Sequence, residues 1–391
     1  MPTFYNFKQD GNTYSFDDVF IPVDAFRQGN LWTWGYNAYG QLGDNTTTHR
    51  STPVTTFAGG TNWKQVDTGA YHTVAIKTDG TLWTWGFNPF GQLGTNDTTD
   101  RSTPVTTFAG GTNWKQVDTG WYHTAAIKTD GTLWTWGYNA QGQLGTNDCT
   151  QRNTPVTTFA GGTNWKQVSG GFHHTAAIKT DGTLWTWGNN PYGGLGTNDT
   201  TDRATPVTTF AGGTNWKQVD VGGIYHTAAI KTDGTLWTWG YNPYGGLGTN
   251  DTTDRSTPVT TFAGGTNWKQ VSTGGYHTAA IKTDGTLWTW GYNLYGQLGT
   301  NDTTQRLTPV TTFAGGTNWK QVDTGWYHIA AIKTDGTLWT WGRGTNGGLG
   351  TNDTTDRATP VTTFAGGTNW KQVSGGGIYH TAAIEYIDPV L

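Results

Sequence analysis

A five-residue word, LWTWG, recurs at Leu31, Leu82, Leu133, Leu184, Leu236, Leu287 and Leu338, in steps of 51, 51, 51, 52, 51 and 51 residues. A second word, NWKQV, keeps the same interval, with its tryptophan at Trp63, Trp114, Trp165, Trp216, Trp268, Trp319 and Trp370. The single 52-residue step comes from one added residue in the stretch 221–226. A period of this length restricts the chain to architectures in which equivalent units stack on their neighbours, because one such unit cannot bury its own apolar face.

Each unit holds four β-rich segments, WKQV, HTAAI, LWTWG and PVTTF, punctuated by Gly, Asn, Asp and Pro. HTAAIKTDGTLWTWG reads as a hairpin: Asp-Gly supplies the positive φ of a tight turn, and Trp83 and Trp85 share one face by period two. Four strands in about 50 residues make one propeller blade. The first LWTWG has no WKQV or HTAAI before it, whereas the last unit has both, at 370–373 and 380–384. Residues 31–35 and 53–57 therefore complete the blade begun by 369–384, and no polar capping repeat of an open solenoid is present. The expected fold class is all-β, a closed seven-bladed β-propeller of four-stranded antiparallel blades whose ring is closed by N- and C-terminal strands. The expected division is 1–30, a non-repeat segment that packs on the edge or docks elsewhere, and 31–391, the propeller.

Composition agrees. Glycine fills 59 positions and tryptophan 23, while charged residues make up 13% and helix formers are scarce, which excludes a mostly helical protein. The single cysteine, Cys149, excludes a disulfide framework and a cysteine-based zinc site. A net charge of −4 gives no general attraction for nucleic acid. No apolar run approaches the roughly 18 residues of a membrane span, and no secretory signal is visible, so the expected location is a virion or the cytoplasm.

GWYHTAAIKTDGTLWTWGYNAQGQLG (120–145) resembles the repeat of the regulator of chromosome condensation family, over residues 31–384. The resemblance implies a seven-bladed propeller but no single function. Members include a nucleotide exchange factor on chromatin, a plant ultraviolet photoreceptor, a β-lactamase inhibitor and many bacterial and bacteriophage proteins; the short copies here look most similar to the last group.

Comparison among the copies separates constant from changing positions. His72, His123, His174, His226, His277, His328 and His380 open every HTAAI-type strand and read as structural groups hydrogen-bonded to backbone, not as metal ligands. The acids of TNDTTDR (95–101) read as turn and Arg partners before calcium ligands. Change gathers at one face: Trp121, Phe172, Ile224, Trp326 and Ile378 lie two residues before the repeated histidine, and Tyr122, His173 and Tyr327 lie one before it. Tyr36, Phe87, Tyr138, Tyr241, Tyr292 and Arg343 follow LWTWG. These residues form the expected binding face, opposite a uniform Lys/Asp/Asn lattice of KTDGT and FAGGTN turns. Trp121 and Trp326 stand four blades apart, which argues against a clustered chromophore; the photoreceptor's GWRHT is GWYHT here.

The singletons Cys149, His49, His173, Arg343 and Glu385 fall in different blades and loops, so no catalytic constellation, metal or cofactor is expected. The functional expectation is a non-enzymatic binding or structural propeller of a bacteriophage virion or similar assembly. It would attach through residues 1–30, possible elements of a symmetric assembly, and present its aromatic face to a structural protein or cell-surface glycan, with neither nucleic acid nor membrane insertion involved. The alternative is a soluble bacterial protein-binding inhibitor or regulator, with guanine nucleotide exchange a third reading.

Overall fold

The computed structural model describes residues 7–9, 12–14, 28–223 and 225–387. They form seven four-stranded antiparallel sheets and a separate two-stranded hairpin. The first blade runs from the axis outward as Trp63–Thr68, His72–Lys77, Leu82–Gly86 and Arg101–Thr106. Five further blades repeat it, with inner strands starting at Trp114, Trp165, Trp216, Trp268 and Trp319.

The closing blade takes Trp370–Ser374 and His380–Ile387 from one chain end and Gln28–Gly35 and Arg50–Thr55 from the other. Its central pair is held by eight register positions, Gln28↔Ile387 to Gly35↔His380, where the hairpin of the first blade has five. Residues 28–30 thus extend the ladder by three pairs in the one blade whose second and third strands no turn connects. The ladder starts three residues before the first repeated word. Phe7–Gln9 and Asn12–Tyr14 pair as a hairpin; the docking or edge-packing role expected of the rest of 1–30 lies outside the described residues.

The core lies between blades. One cluster joins Leu31, Ala382 and Ile384 of the closing blade to Trp63, Val66, Ala75 and Trp85 of the first, and six equivalents follow. Each indole of these clusters has an acceptor: Trp85 Nε1 donates to the Gln41 carbonyl (2.9 Å) and Trp63 Nε1 to that of Gly59 (3.1 Å). Trp63 meets Trp83 and Trp85 edge-on at 6.1 and 6.2 Å, an arrangement the ring quadrupoles favour.

At the axis, the glutamine of every WKQV reaches the next blade. Gln65 Nε2 donates to the Val117 carbonyl at 2.7 Å and Val117 N donates back to Gln65 Oε1 at 3.2 Å. The pattern repeats through Gln116, Gln167, Gln218, Gln270 and Gln321, and Gln372 returns it to Val66. A primary amide copies a peptide group, so each glutamine supplies one rung of ladder between inner strands too divergent to pair.

The repeated histidines also bond across blades, to a hydroxyl where backbone was expected. His72 Nε2 lies 3.0 Å from Thr124 Oγ1, and His123, His174, His226, His328 and His380 meet the corresponding threonines at 2.9–3.3 Å. Thr124 Oγ1 already donates to the Gln92 carbonyl (2.8 Å), so the histidine must donate from Nε2. The reason for the different partner is strand order: each histidine opens the second strand, whose backbone is taken up within its own sheet. His277 faces Ile329 instead and finds no hydroxyl there. A Cβ at Gly69 would sit 2.5 Å from His72 Cε1, which is why glycine precedes this strand.

Replacing Gln116 with Ala strands the Val168 N–H and carbonyl between blades, and Thr124→Val strands the His72 N–H. Each change is expected to lower stability by about 1–3 kcal/mol in urea denaturation; an unchanged midpoint would remove these bonds from the account of ring closure.

Candidate binding face

The residue before each repeated histidine and those after LWTWG emerge at the same end of the blades, and their rings meet. From Tyr36, contacts pass through Tyr39 to Phe87 (4.4 Å), through Phe90 to Tyr138 (4.9 Å) and on to His173 (5.5 Å). They continue through Tyr225 and Tyr192 to Tyr241 (4.1 Å), then through Tyr276 and Tyr244 to Tyr292 (4.8 Å) and Tyr295. Arg343 lies 4.5, 5.4 and 5.0 Å from the rings of Tyr295, Tyr327 and Tyr379 and donates from Nη1 to the Tyr379 hydroxyl at 2.7 Å. Tyr379 meets Tyr36 at 6.5 Å and closes the belt. Burial and neighbouring phenols push Tyr71 and Tyr276 up to about 12, so they remain neutral hydroxyls.

Inside the belt the structure overturns the expected separation of Trp121 and Trp326. Their ring centroids are 3.8 Å apart, with Phe172 4.1 Å from Trp121. Four blades is a long way around the rim but a short way across the axis, and both side chains lean over the channel mouth. That mouth is a cavity of about 70 Å³ bordered by the two indoles and by small residues such as Ala70 and Gly275. Ile378 is half-buried at the same level, and Ile224 lies outside the described residues.

Below the mouth, residues that the sequence reading passed over line a cavity of about 80 Å³: Asp67 and Asp118 in adjacent blades, then Ser169, Asp220, Ser272, Asp323 and Ser374. Each follows the valine of WKQV and reads in sequence as an ordinary polar strand position. Backbone N–H groups of the next blade hold the carboxylates, as Thr119 N does for Asp67 (2.8 Å) and Gly170 N for Asp118 (2.8 Å). Burial pushes all four upward, Asp220 to about 6, and repulsion by Asp67 raises Asp118 and Asp323 further.

Two other expectations change. His49 and Arg343, read as scattered, belong to loops that adjoin where the sixth blade meets the closing one: one cavity is bordered by His49 and by Thr345 and Asn346 of the Arg343 loop. The opposite face is more than a polar lattice, because seven phenylalanines of the FAGGTN turns, Phe57 among them, are 64–67% exposed. In the loops weighed for calcium, Asp97 Oδ2 instead faces Arg101 Nη2 at 2.6 Å. Asp100 Oδ1 accepts from Asn88 N at 2.7 Å.

The RCC1-like domain matches residues 23–267, and the regulator of chromosome condensation (RCC1) repeat matches 284–332 and 335–384. The chain belongs to the RCC1-like family. The ultraviolet-B receptor UVR8 of Arabidopsis thaliana is 36% identical over 336 residues, 84% of this chain and 76% of that protein. The E3 ubiquitin-protein ligase HERC2 of Homo sapiens is 29% identical over 85% of this chain, which spans only 7% of HERC2. Yeast RCC1 (Prp20), solved with Kap60 bound, shares the fold with a TM-score of 0.79 at 19% identity, over 93% of this chain and 90% of that one. These relatives are plant, animal and fungal, so they lend nothing to the bacterial or bacteriophage subtype or to a virion location. Among the described residues no helix is long and apolar enough to cross a membrane.

In this RCC1-like ring two buried sets of titrating groups oppose each other. Burial lowers His72, His123, His174, His277 and His380 to about 3 and His328 to about 4, so the unfolded chain takes up their protons below about 6.5 while the native ring does not. Their contribution falls as pH falls through that window. The axial aspartates are raised, so their contribution is present at low pH and lost as pH rises through the native values. The histidines outnumber the acids, and the melting temperature should rise from pH 4.5 to 6.5. Asp118→Asn combined with Asp323→Asn should steepen that rise; an unaltered slope would show that these acids titrate normally.

Proposed function

We propose that this RCC1-like propeller is a protein-binding regulatory module that engages its partner through the aromatic belt and the tryptophan pair within it. The observation that carries this reading is the unbroken circuit of rings, uncharged except for Arg343, on a scaffold whose strands barely vary. Aromatic residues with little charge are what interface centres collect, and side chains already packed against one another lose little entropy on binding. The yeast relative solved with Kap60 supports a protein partner. This reading matches the regulator alternative drawn from the sequence; the virion component, the structural-protein partner and the glycan have no counterpart among the relatives.

A second reading, ultraviolet reception, is favoured by one observation, the 3.8 Å approach of Trp121 and Trp326. The UVR8 likeness supports it, and tyrosine in place of the arginine of GWRHT stands against it. Ultraviolet-B irradiation that changes partner binding in wild type but not in Trp121→Phe would favour it.

The main test compares immobilised wild type with two triple variants. Tyr138→Ala, Tyr241→Ala, Tyr292→Ala alters the belt; Phe108→Ser, Phe210→Ser, Phe313→Ser alters the opposite turns. A partner protein kept by wild type and the turn variant but lost by the belt variant, by roughly tenfold or more in affinity, is the expected outcome. Loss from the turn variant alone would place the interface on the other face.

A further inference from the structure

We infer that the junction between the sixth and closing blades holds a pocket for the phenol side chain of a tyrosine on the partner protein. The inference deepens the reading of the belt as a partner-binding surface and rests on it.

The internal repeat shows what is missing at this junction. In five of the seven loops, the residue three positions beyond the one that follows LWTWG is aromatic, and it packs on the group after LWTWG in the next blade. Tyr39 meets Phe87 at 4.4 Å, Phe90 meets Tyr138 at 4.9 Å, Tyr192 meets Tyr241 at 4.1 Å and Tyr244 meets Tyr292 at 4.8 Å. Tyr295 lies under Arg343 at 4.5 Å. In the loop of the sixth blade this residue is Asn346, and the group it should cover is Tyr36.

The local cause is Gly344. Every other loop has asparagine there, and Asn88 shows its work: Nδ2 donates to the carbonyls of Asp97 (3.1 Å) and Thr99 (3.2 Å), while Oδ1 accepts from Leu93 N (2.9 Å). Glycine cannot make these bonds. Residues Thr345–Gly347 coil into a 3-10 turn with Asn346 at φ 59°, a left-handed conformation that asparagine tolerates.

A cavity of about 460 Å³ remains, bordered by His49, Ser51, Thr345, Asn346 and Thr354. It is a hollow open to solvent, with His49 and Thr354 exposed at its rim, and it is wide enough for a single aromatic side chain. His49 stacks on Tyr36 at 4.7 Å with the planes 31° apart, and its Nδ1 accepts from Asn37 N at 2.9 Å. A neutral imidazole that accepts at Nδ1 carries its proton on Nε2. The pocket therefore offers a ring to stack against, with hydroxyls, an amide and an imidazole N–H for a phenolic oxygen. It is also where the pseudo-symmetry of the face breaks, so it fixes which of seven similar orientations a partner adopts.

The probe is 4-methylphenol, followed by saturation-transfer NMR on the full chain. Wild type should bind it, Asn346→Tyr should fill the cavity and weaken binding at least roughly tenfold, and Phe210→Ser, on an exposed turn of the opposite face, should leave it unchanged. His49→Asp installs the residue found at the equivalent position as Asp100, Asp202, Asp254 and Asp356, each of which accepts the same backbone N–H that His49 accepts from Asn37; it should weaken binding severalfold. No binding by wild type, or binding in Asn346→Tyr and His49→Asp as tight as in wild type, overturns the pocket. That result is separable from failure of the wider reading: partner capture still lost in the belt variant would retain the face while discarding the pocket.

Discussion

Seven inner strands surround one axis, and they diverge too much to pair through their backbones. The glutamine of WKQV resolves this by carrying an amide across the gap, accepting from and donating to the neighbouring valine. The interaction is directional and requires one side-chain length. It therefore fixes the distance between inner strands, and with it the angle between blades. The tryptophans fill the wedge that this angle opens farther out, and the His–Thr bonds repeat the linkage on the second strand. Ring closure is cooperative in this arrangement: the Gln372 amide reaches Val66 only when both chain ends have built the same sheet.

Patterns that depend on order along the chain could be read directly. The interval between tryptophans, the Asp-Gly turn of each hairpin and the unequal ends led to the blade count and to closure by opposite termini. Contacts that depend on distance across the axis could not. Gln65 and Asp67 look like ordinary polar residues of an alternating strand, and only the assembled ring shows that one bridges blades while the other faces a narrow channel. Trp121 and Trp326 give the clearest case, because separation counted in blades measures the circumference, whereas residues just before the second strand crowd the centre. His49 and Arg343 do lie in different blades, but closure makes neighbours of the first and last loops, a nearness that order along the chain does not reveal.

The two faces of the ring illustrate how repetition and variation divide the work. Turns that connect blades are constrained by glycine geometry and by the Lys–Trp contacts beneath them, as with Lys77 4.6 Å from Trp63 and 4.4 Å from Trp83, so the copies stay alike there. Side chains at the other end meet mainly one another and the loops beside them. A tyrosine, phenylalanine, histidine or arginine can occupy a belt position as long as it offers a flat group to its neighbour, and Arg343 does so with its guanidinium. Variation on that face changes chemistry without disturbing the scaffold, which is the property a recognition surface needs.

A nearly seven-fold surface has a particular difficulty in recognition, since a partner that matches one sector matches the others almost as well. Specificity then depends on the departures from symmetry and on where they sit. Here they converge: Arg343 in place of an aromatic ring, Gly344 in place of the anchoring asparagine, Asn346 in place of a tyrosine and His49 in place of an acid all fall at one junction. The added residue before His226 marks a second departure, with Tyr225 turned to φ 54°. It changes the path of the backbone while keeping the belt continuous through Tyr192 and Tyr241. Gln141 and Asn189 make a further departure between the second and third blades, but their side chains bond each other at 3.3 Å; the departure between the sixth and closing blades is the one that opens space, so it is the one that can seat a partner group and orient it.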